Sequence, residues 1–381
     1  MRVLSANLRL VVAFGVLAMA SPAHASPISA HAMVYTCCTA DATKERIFAE
    51  AEAVGADFIR VDIEMSGIFK GPRAASREPD WTHLDAVMAL ARKHRLQVLG
   101  LLLAPPAYIS TCPGGPDPGR CGVADTSELG RLAGEIAEHA QDTIRHWEIL
   151  NEPDAEWAFK GTPEQYAAML SAAHDGIERR VPDARVVLGG IARPKDPAWL
   201  ERVFATPGTN AIDKFDIAGV HLRGPVGPVV SRYRQFRAWL GERGFTGPLW
   251  ITELGYPADP AYQVDPSFTG GDAAQAAYLT QSLVDLGEAG AKQVFVTLRD
   301  SGDGAYASEG LAHMDEAPGG ATTRRESFHA VRRLATNWAQ LMAWRREQPK
   351  NERAVGLYEA VAAFVVGRRA ALLWHSVSSP G

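Results

Sequence analysis

Two segments of this chain end an apolar run on a glutamate. His146 to Asp154 reads HWEILNEPD, a short buried strand stopped by Pro153, and sets Glu152 at its rim. Pro248 to Pro257 reads PLWITELGYP and does the same for Glu253, about a hundred residues later. Two carboxyl groups facing one another across a cleft are what cleavage of a glycosidic bond demands. One protonates the leaving oxygen while the other attacks, or activates water, on the opposite face. Such a pair needs one raised pKa and one ordinary one, set by neighbours. Asn151 is placed to hydrogen-bond a sugar hydroxyl or hold the acid, and Arg60, on an earlier strand, to keep Glu253 ionised. His221 ends another apolar run and is placed to orient a carboxylate or hydroxyl. Trp147, Trp157, Tyr256 and Tyr306 stand near these strand ends as candidate stacking surfaces.

For these residues to meet, the strands carrying them must share a sheet. Strands are expected at His31–Thr36, Phe58–Ile63, Gln97–Leu103, the Glu152 run, Ala184–Gly190, Phe215–Leu222, the Glu253 run and Lys292–Asp300. Helices alternate with them at Thr43–Val54 (Thr43 as N-cap), Trp81–Arg95, Ser127–His139, Pro163–Arg180, Pro197–Phe204, Ser231–Arg243, Asp272–Glu288 and Arg324–Arg346. Eight such pairs predict an α/β fold with a parallel sheet. Their spacing is that of a (β/α)8 TIM barrel, which runs to ~250 residues over eight units. An open doubly wound sheet wants a Gly-rich phosphate turn after its first strand, and none is present. The helix-to-strand connections are short, as at Gly55-Ala56-Asp57 and Ala289-Gly290-Ala291. Several strand-to-helix loops are long: Glu64 to Asp80, Ala104 to Thr126, Gly255 to Gly271 and Ser301 to Thr323. Long loops on one face are where a barrel keeps its active site, and both glutamates point there.

The 381 residues are expected to divide into a signal peptide (1–25), a catalytic barrel (26–347) and a small β appendage (348–381) packed on the barrel. Arg2 and Arg9 flank a short apolar core, Leu10 to Ala20, before an Ala23-His24-Ala25 cleavage pattern. That core is too short to span a membrane, and no later segment is long enough. The expectation is an exported protein, periplasmic or secreted. Its tail carries strand-like runs at Ala354–Tyr358, Ala362–Val366 and Ala370–Trp374.

Composition narrows the chemistry. The net charge is -5, with the basic residues dispersed among acids, so a nucleic-acid partner is not expected. Arg324, Arg325, Arg332 and Arg333 read as a solvated helix face. Neither CxxC nor HExxH occurs, so neither metal nor organic cofactor is expected. Of four cysteines, Cys112 and Cys121 bracket a Pro/Gly-rich loop and form the natural disulfide. Cys37 and Cys38 are adjacent, where a bond is strained and uncommon, and read as packing residues or free thiols.

Asn-Glu-Pro ending the fourth strand and Thr-Glu-Leu-Gly ending the seventh resemble clan A, the retaining (β/α)8 glycoside hydrolases. The resemblance runs from Arg60 to Arg299, and WEILNEPD, LWITELGYP and VTLRD look most like the family-39 type. That type includes bacterial exopolysaccharide hydrolases acting on biofilm matrix. It implies Glu152 as acid/base and Glu253 as nucleophile, with net retention at the anomeric carbon. The chain departs from the pattern at Arg223, where an aromatic often follows the strand-six histidine. A strand-eight tryptophan that would floor the sugar is replaced by Val296-Thr297-Leu298. Arg223, Arg299 and Asp300 are then candidates for meeting a charged or substituted sugar.

The expected activity is hydrolysis of a β-linked polysaccharide or oligosaccharide through a double displacement, with carbohydrate as partner. Arg60, Asn151, Trp157, His221, Tyr256 and Arg299 are the expected substrate contacts. Glycosyl transfer to another sugar shares the same covalent intermediate, and a glycan-binding barrel without turnover is the alternative outside catalysis.

Overall fold

The computed structural model describes residues 26–72, 78–268, 270–317 and 319–347. The expected leader, 1–25, and the tail runs between Ala354 and Trp374 lie outside the described residues. The first half comprises β1 (Ile28–Tyr35), α1 (Asp41–Val54), β2 (Phe58–Glu64), α2 (Met65–Ile68), α3 (Thr82–Lys93), β3 (Gln97–Leu103), α4 (Thr126–Ala140), β4 (Ile144–Ile149) and α5 (Pro163–Arg180). The second comprises β5 (Arg185–Leu188), α6 (Ala198–Phe204), β6 (Ala218–Leu222), α7 (Val226–Glu242), β7 (Leu249–Leu254), α8 (Gly271–Glu288), β8 (Val294–Thr297), β9 (Ala312–Met314), β10 (Thr322–Arg324) and α9 (Glu326–Glu347).

The first eight strands pair in parallel in the order β5-β4-β3-β2-β1-β8-β7-β6. The two ends then meet: Leu188 N–H donates to Ile217 O at 2.9 Å and His221 N–H to Ile191 O at 2.9 Å. This closes the sheet into a (β/α)8 barrel, as the alternation of elements predicts.

The expected boundaries shift where local chemistry competes. The first helix begins at Asp41, and Thr43 is buried in its first turn instead of capping it. The helix expected from Ser231 starts at Val226, because Pro225 and Pro228 fall in its first turn, where the missing N–H groups cost nothing. Helix α2 and the antiparallel β9–β10 ribbon are too short to show a period in the sequence. The expected disulfide joins Cys112 to Cys121 within the β3–α4 loop. The expectation for Cys37 and Cys38 is corrected: they are bonded to each other, with Cα atoms only 3.8 Å apart. A tight turn after β1, in which Thr39 N–H donates to Tyr35 O at 3.0 Å, brings the neighbouring thiols round to each other.

Inside the barrel, Phe58, Leu99, Val187, Ile217, Trp250 and Phe295 form an apolar floor. Phe58 is its hub, edge-on to His146 and Trp250 with ring centroids 5.1 Å away in each case. Above that floor the inward positions become polar: Arg60 and Asp62 on β2, Glu148 on β4 and Thr252 and Glu253 on β7 are all buried. A dry floor beneath charged groups raises the energetic weight of every contact they make. Phe58→Ala is expected to cost about 3–5 kcal/mol of folding stability, the range for emptying an aromatic core position. Denaturant unfolding measures it, and a loss below 1 kcal/mol would show that the floor does not support the barrel.

Candidate active site

Glu152 reaches the cleft through an unusual backbone. Beyond Ile149, where β4 ends, Leu150 and Glu152 take left-handed conformations, with φ of 63° and 42°. Non-glycine residues hold such angles only when their surroundings impose them, at a cost of order 1–3 kcal/mol. Here Asp154 anchors the turn by accepting hydrogen bonds from Ala192 and Arg193 N–H at 2.9 and 2.7 Å. Glu253 arrives by a different device. Val220 pairs with Ile251 and His221 with Glu253, so β7 carries one extra residue at this point. That bulge lets both Thr252 and Glu253 turn inward, where strict alternation would send one of them out.

Arg60 ties these pieces together. Its Nε donates to Glu148 Oε2 at 2.6 Å, Nη1 to Glu253 Oε1 at 2.9 Å and Nη2 to Asn151 Oδ1 at 2.8 Å. Glu148 also accepts from Gly190 N–H at 2.8 Å and Thr252 Oγ1 at 3.2 Å. Gly190 must lack a side chain, since a Cβ there would stand 2.1 Å from His221 Nε2. Arg223 approaches Glu253 Oε2 from the other side at 3.3 Å and continues to Glu309 at 3.2 Å.

Burial pushes the Glu253 carboxyl up, but His221, His31, Arg60 and Arg223 outweigh it and hold the group well below the usual carboxylate range. Burial also pushes His31 down to about 3. His31 is therefore neutral near pH 7, and the two guanidiniums carry the lasting positive field.

Glu152 shares His221 with Glu253 but makes the closer contact. His221 Nδ1 lies 2.8 Å from its Oε1, and the Trp157 indole N–H donates to its Oε2 at 2.6 Å. Burial raises this carboxyl, but the His221 contact, helped by Trp157 and opposed by Glu253, leaves it below the usual range. The expectation of one raised member in the pair is thus not met at Glu152. Trp157 is itself tied to the disulfide loop, because Arg120, next to Cys121, donates to Trp157 O at 2.8 Å.

Of the expected contacts, Arg60, Asn151, Trp157 and His221 converge on the two glutamates. Tyr256 does not, which corrects that expectation. It is buried against Tyr278, ring centroids 4.4 Å apart, because the chain beyond Gly255 turns it under the loop. Trp147 is likewise core, since it alternates outward from Glu148 toward the helices. Arg299 braces β1 by donating to Ala32 and Met33 O at 2.8 and 2.9 Å, and its remaining contact is Glu316. Asp300 is taken up by Arg325, at 2.8 Å to each oxygen, so neither residue is free to meet a sugar and Arg325 is not part of a solvated face. Tyr306 lies exposed along the cleft. Glu148, Glu309, His31 and Asp62 went unseen in the sequence. The two-residue spacing of Arg60, Asp62 and Glu64 along β2 was the one available signal.

Glu152, His221 and Glu253 offer ligand atoms within 4.8 Å of one another, the geometry of a cation site. Arg60 and Arg223 already meet Glu253 there, and their charges oppose a further cation. A second trio, His174, Asp175 and Glu178 on α5, has Lys214 at 2.6 Å from Asp175.

No protein-family model matches the sequence, and no curated protein matches it. Solved structures do resemble it. A family 39 glycoside hydrolase from the gut symbiont Bacteroides cellulosilyticus superimposes with a TM-score of 0.62 at 16% identity, over 82% of this chain and 64% of that one. A glucosidase from Croceicoccus marinus gives 0.61 at 15% identity, over 81% and 67%. GH5_18 from Streptomyces cattleya, solved with GlcNAc, gives 0.57 at 18% identity, over 85% and 82%. This chain thus spans about two thirds of the first two proteins. The barrel is the one these glycoside hydrolases use. At such identities the likeness is one of fold, and it agrees with the clan A resemblance in the sequence.

Asp62 provides a test of these electrostatics. Burial, opposed by Arg60 and reinforced by Glu64, Glu253 and Glu148, pushes it up to about 7. A raised acid stabilises the fold in its protonated form, so its contribution is full below ~4 and is lost as pH rises through the folded value. Asp62→Asn, which cannot ionise, is expected to gain on wild type between ~pH 4 and 8. Denaturant midpoints measured across that range check this, and parallel curves would contradict it.

Proposed function

We propose that this protein hydrolyses a β-linked polysaccharide or oligosaccharide with retention of configuration, Glu253 acting as nucleophile and Glu152 as acid/base. The observation that carries the reading is the facing pair itself, with an oxygen of each carboxylate lying within 4.8 Å of the other's. Retaining enzymes place the two groups ~5–5.5 Å apart, whereas inverting enzymes leave ~6.5–9.5 Å for a water. The clan A pattern in the sequence and the barrel shared with glycoside hydrolases support the same reading.

The roles follow from what holds each carboxylate. Glu253 stays ionised under Arg60 and Arg223, as a nucleophile must. Its oxygen attacks the anomeric carbon while Glu152 passes a proton to the departing glycosidic oxygen. The glycosyl ester on Glu253 is then cleaved by water, which gives its proton to Glu152. Esterification removes the Glu253 charge, so the repulsion that favours a protonated Glu152 is present for the first step and absent for the second. His221 and Trp157 hold Glu152 low. Substrate must displace the Trp157 N–H or dry the site to load the proton.

Export is part of the proposal. Two disulfides belong in an oxidising compartment, and the N-terminal pattern is that of a leader. Among the described residues no helix is long and apolar enough to cross a membrane.

Glu152→Ala is expected to lose ~10²–10⁴ in turnover of glycosides with poor leaving groups. Azide should rescue it to a β-glycosyl azide, and Glu253→Ala to the α anomer. Exchanged anomers would reverse the roles, and rescue of both variants to one anomer would remove them. Trp157→Phe deletes a hydrogen bond to the charged form of Glu152, so the basic limb of kcat/KM should move up by about one pH unit. An unmoved limb would mean that Glu152 is not the acid.

A further inference from the structure

We infer that the cavity beside Glu253 recognises a sugar bearing a protonated amine, with Asp62 and Glu64 as the carboxylates that receive it. The inference deepens the glycosidase reading by naming a substrate class, and rests on the cleft being a glycan site. The cavity has a volume of about 400 Å³ and is walled by Asp62, Glu64, Glu253, Asn151, Arg60 and Trp157. It shares Met33 and Tyr35 with a second hollow of about 340 Å³ that runs on to Tyr306. Both fall within the range usual for small-ligand sites, ~300–1,000 Å³.

Two of the acids lining it form no ion pair with a described residue, although the Arg60 charge acts on Asp62 from a distance. Asp62 is 6% exposed, and no hydrogen bond from a described residue reaches its carboxyl. Glu64 is 8% exposed; its Oε2 accepts from Thr36 Oγ1 and Cys37 N–H at 2.7 and 3.2 Å, while its buried Oε1 accepts from no described residue. Among the described residues, the nearby cations are engaged elsewhere. Arg60 is divided among Glu148, Glu253 and Asn151, and Arg120 is held by Asp117 at 2.9 Å and by Trp157 O. Arg299 is spent on Ala32, Met33 and Glu316, and Lys44 on Thr36 O at 2.9 Å and Asp41.

Buried carboxylates left in this state are costly, and proteins pair them or neutralise them. Two such groups, spaced two residues apart on the inner face of one strand, share a single unmet requirement for positive charge. Sugar hydroxyls and an N-acetyl amide would supply hydrogen bonds but no charge. A primary ammonium supplies three donors and one positive charge at once. Burial holds Asp62 up to about 7, and an ammonium beside it would draw that value back down.

The test is calorimetric titration of the intact protein with β-1,4-linked glucosamine tetramer, its fully N-acetylated counterpart and cellotetraose. It is run at about pH 6, where a primary amine carries its proton. Each mixture is then analysed for cleavage. The amino tetramer should bind at least about tenfold tighter than the two neutral ones, the factor expected of one charge-assisted contact. Asp62→Asn and Glu64→Gln should each remove most of that preference, with affinity for cellotetraose unchanged within about twofold. Melting curves confirm that the variants fold, and Asp62→Asn should melt no lower than wild type.

Equal affinity for amino and neutral tetramers would overturn the inference. So would a preference that survives both variants, or no binding of the amino tetramer at all. Failure of the glycosidase reading looks different. The amino tetramer would bind with its Asp62-dependent preference and be recovered uncut.

Discussion

A single buried guanidinium organises this barrel's interior. Arg60 has lost its water, and Glu148, Glu253 and Asn151 have each lost a donor's worth of solvation to reach it. Removing one partner of such a buried network costs about 3–5 kcal/mol, because the charge left behind finds no water. That penalty locks three strands in register around one point. It also fixes the direction in which Glu253 aims, and leaves its carboxylate ionised above an apolar floor.

The two glutamates are held by sets of donors that meet at His221, 2.8 Å from Glu152 and 3.6 Å from Glu253. Glu253 answers to arginines, which never release their protons in the physiological range. Glu152 answers to His221 and to an exposed indole, which a substrate can reach. The disulfide loop between β3 and α4 matters for that second set, since it carries Arg120, and Arg120 grips the turn bearing Trp157. One carboxylate with a fixed charge and one with an adjustable charge is what a double displacement asks of its two acids.

Much of this was legible in the sequence. Apolar runs of strand length, punctuated by amphipathic helices and unequal loops, defined the barrel, with α5 and β3 matching to the residue. The two glutamates stood out because strand ends are the one place where a barrel can hold a carboxylate both buried and accessible. Glu148 was hidden because a glutamate inside an apolar strand looks like a register marker until its arginine is known. Glu309 was hidden because its loop has no period. Gly255 is what lets it approach, as a Cβ there would stand 2.3 Å from Glu309 Oε2. Tyr256 was misplaced because sequence places a residue after a strand end but not the direction of the turn. The bulge in β7 was equally silent, though it decides that Glu253 faces inward.

In the proposed double displacement, Glu253 forms a covalent bond to the sugar. The most direct measurement takes a glycoside that the protein cleaves, in its 2-deoxy-2-fluoro form with an activated leaving group. The trapped protein is digested and mapped by mass spectrometry. One glycosyl adduct is expected, on the peptide containing Glu253, and none on the peptide containing Glu152. An adduct at another residue, or turnover to the inverted anomer with no adduct, would contradict it.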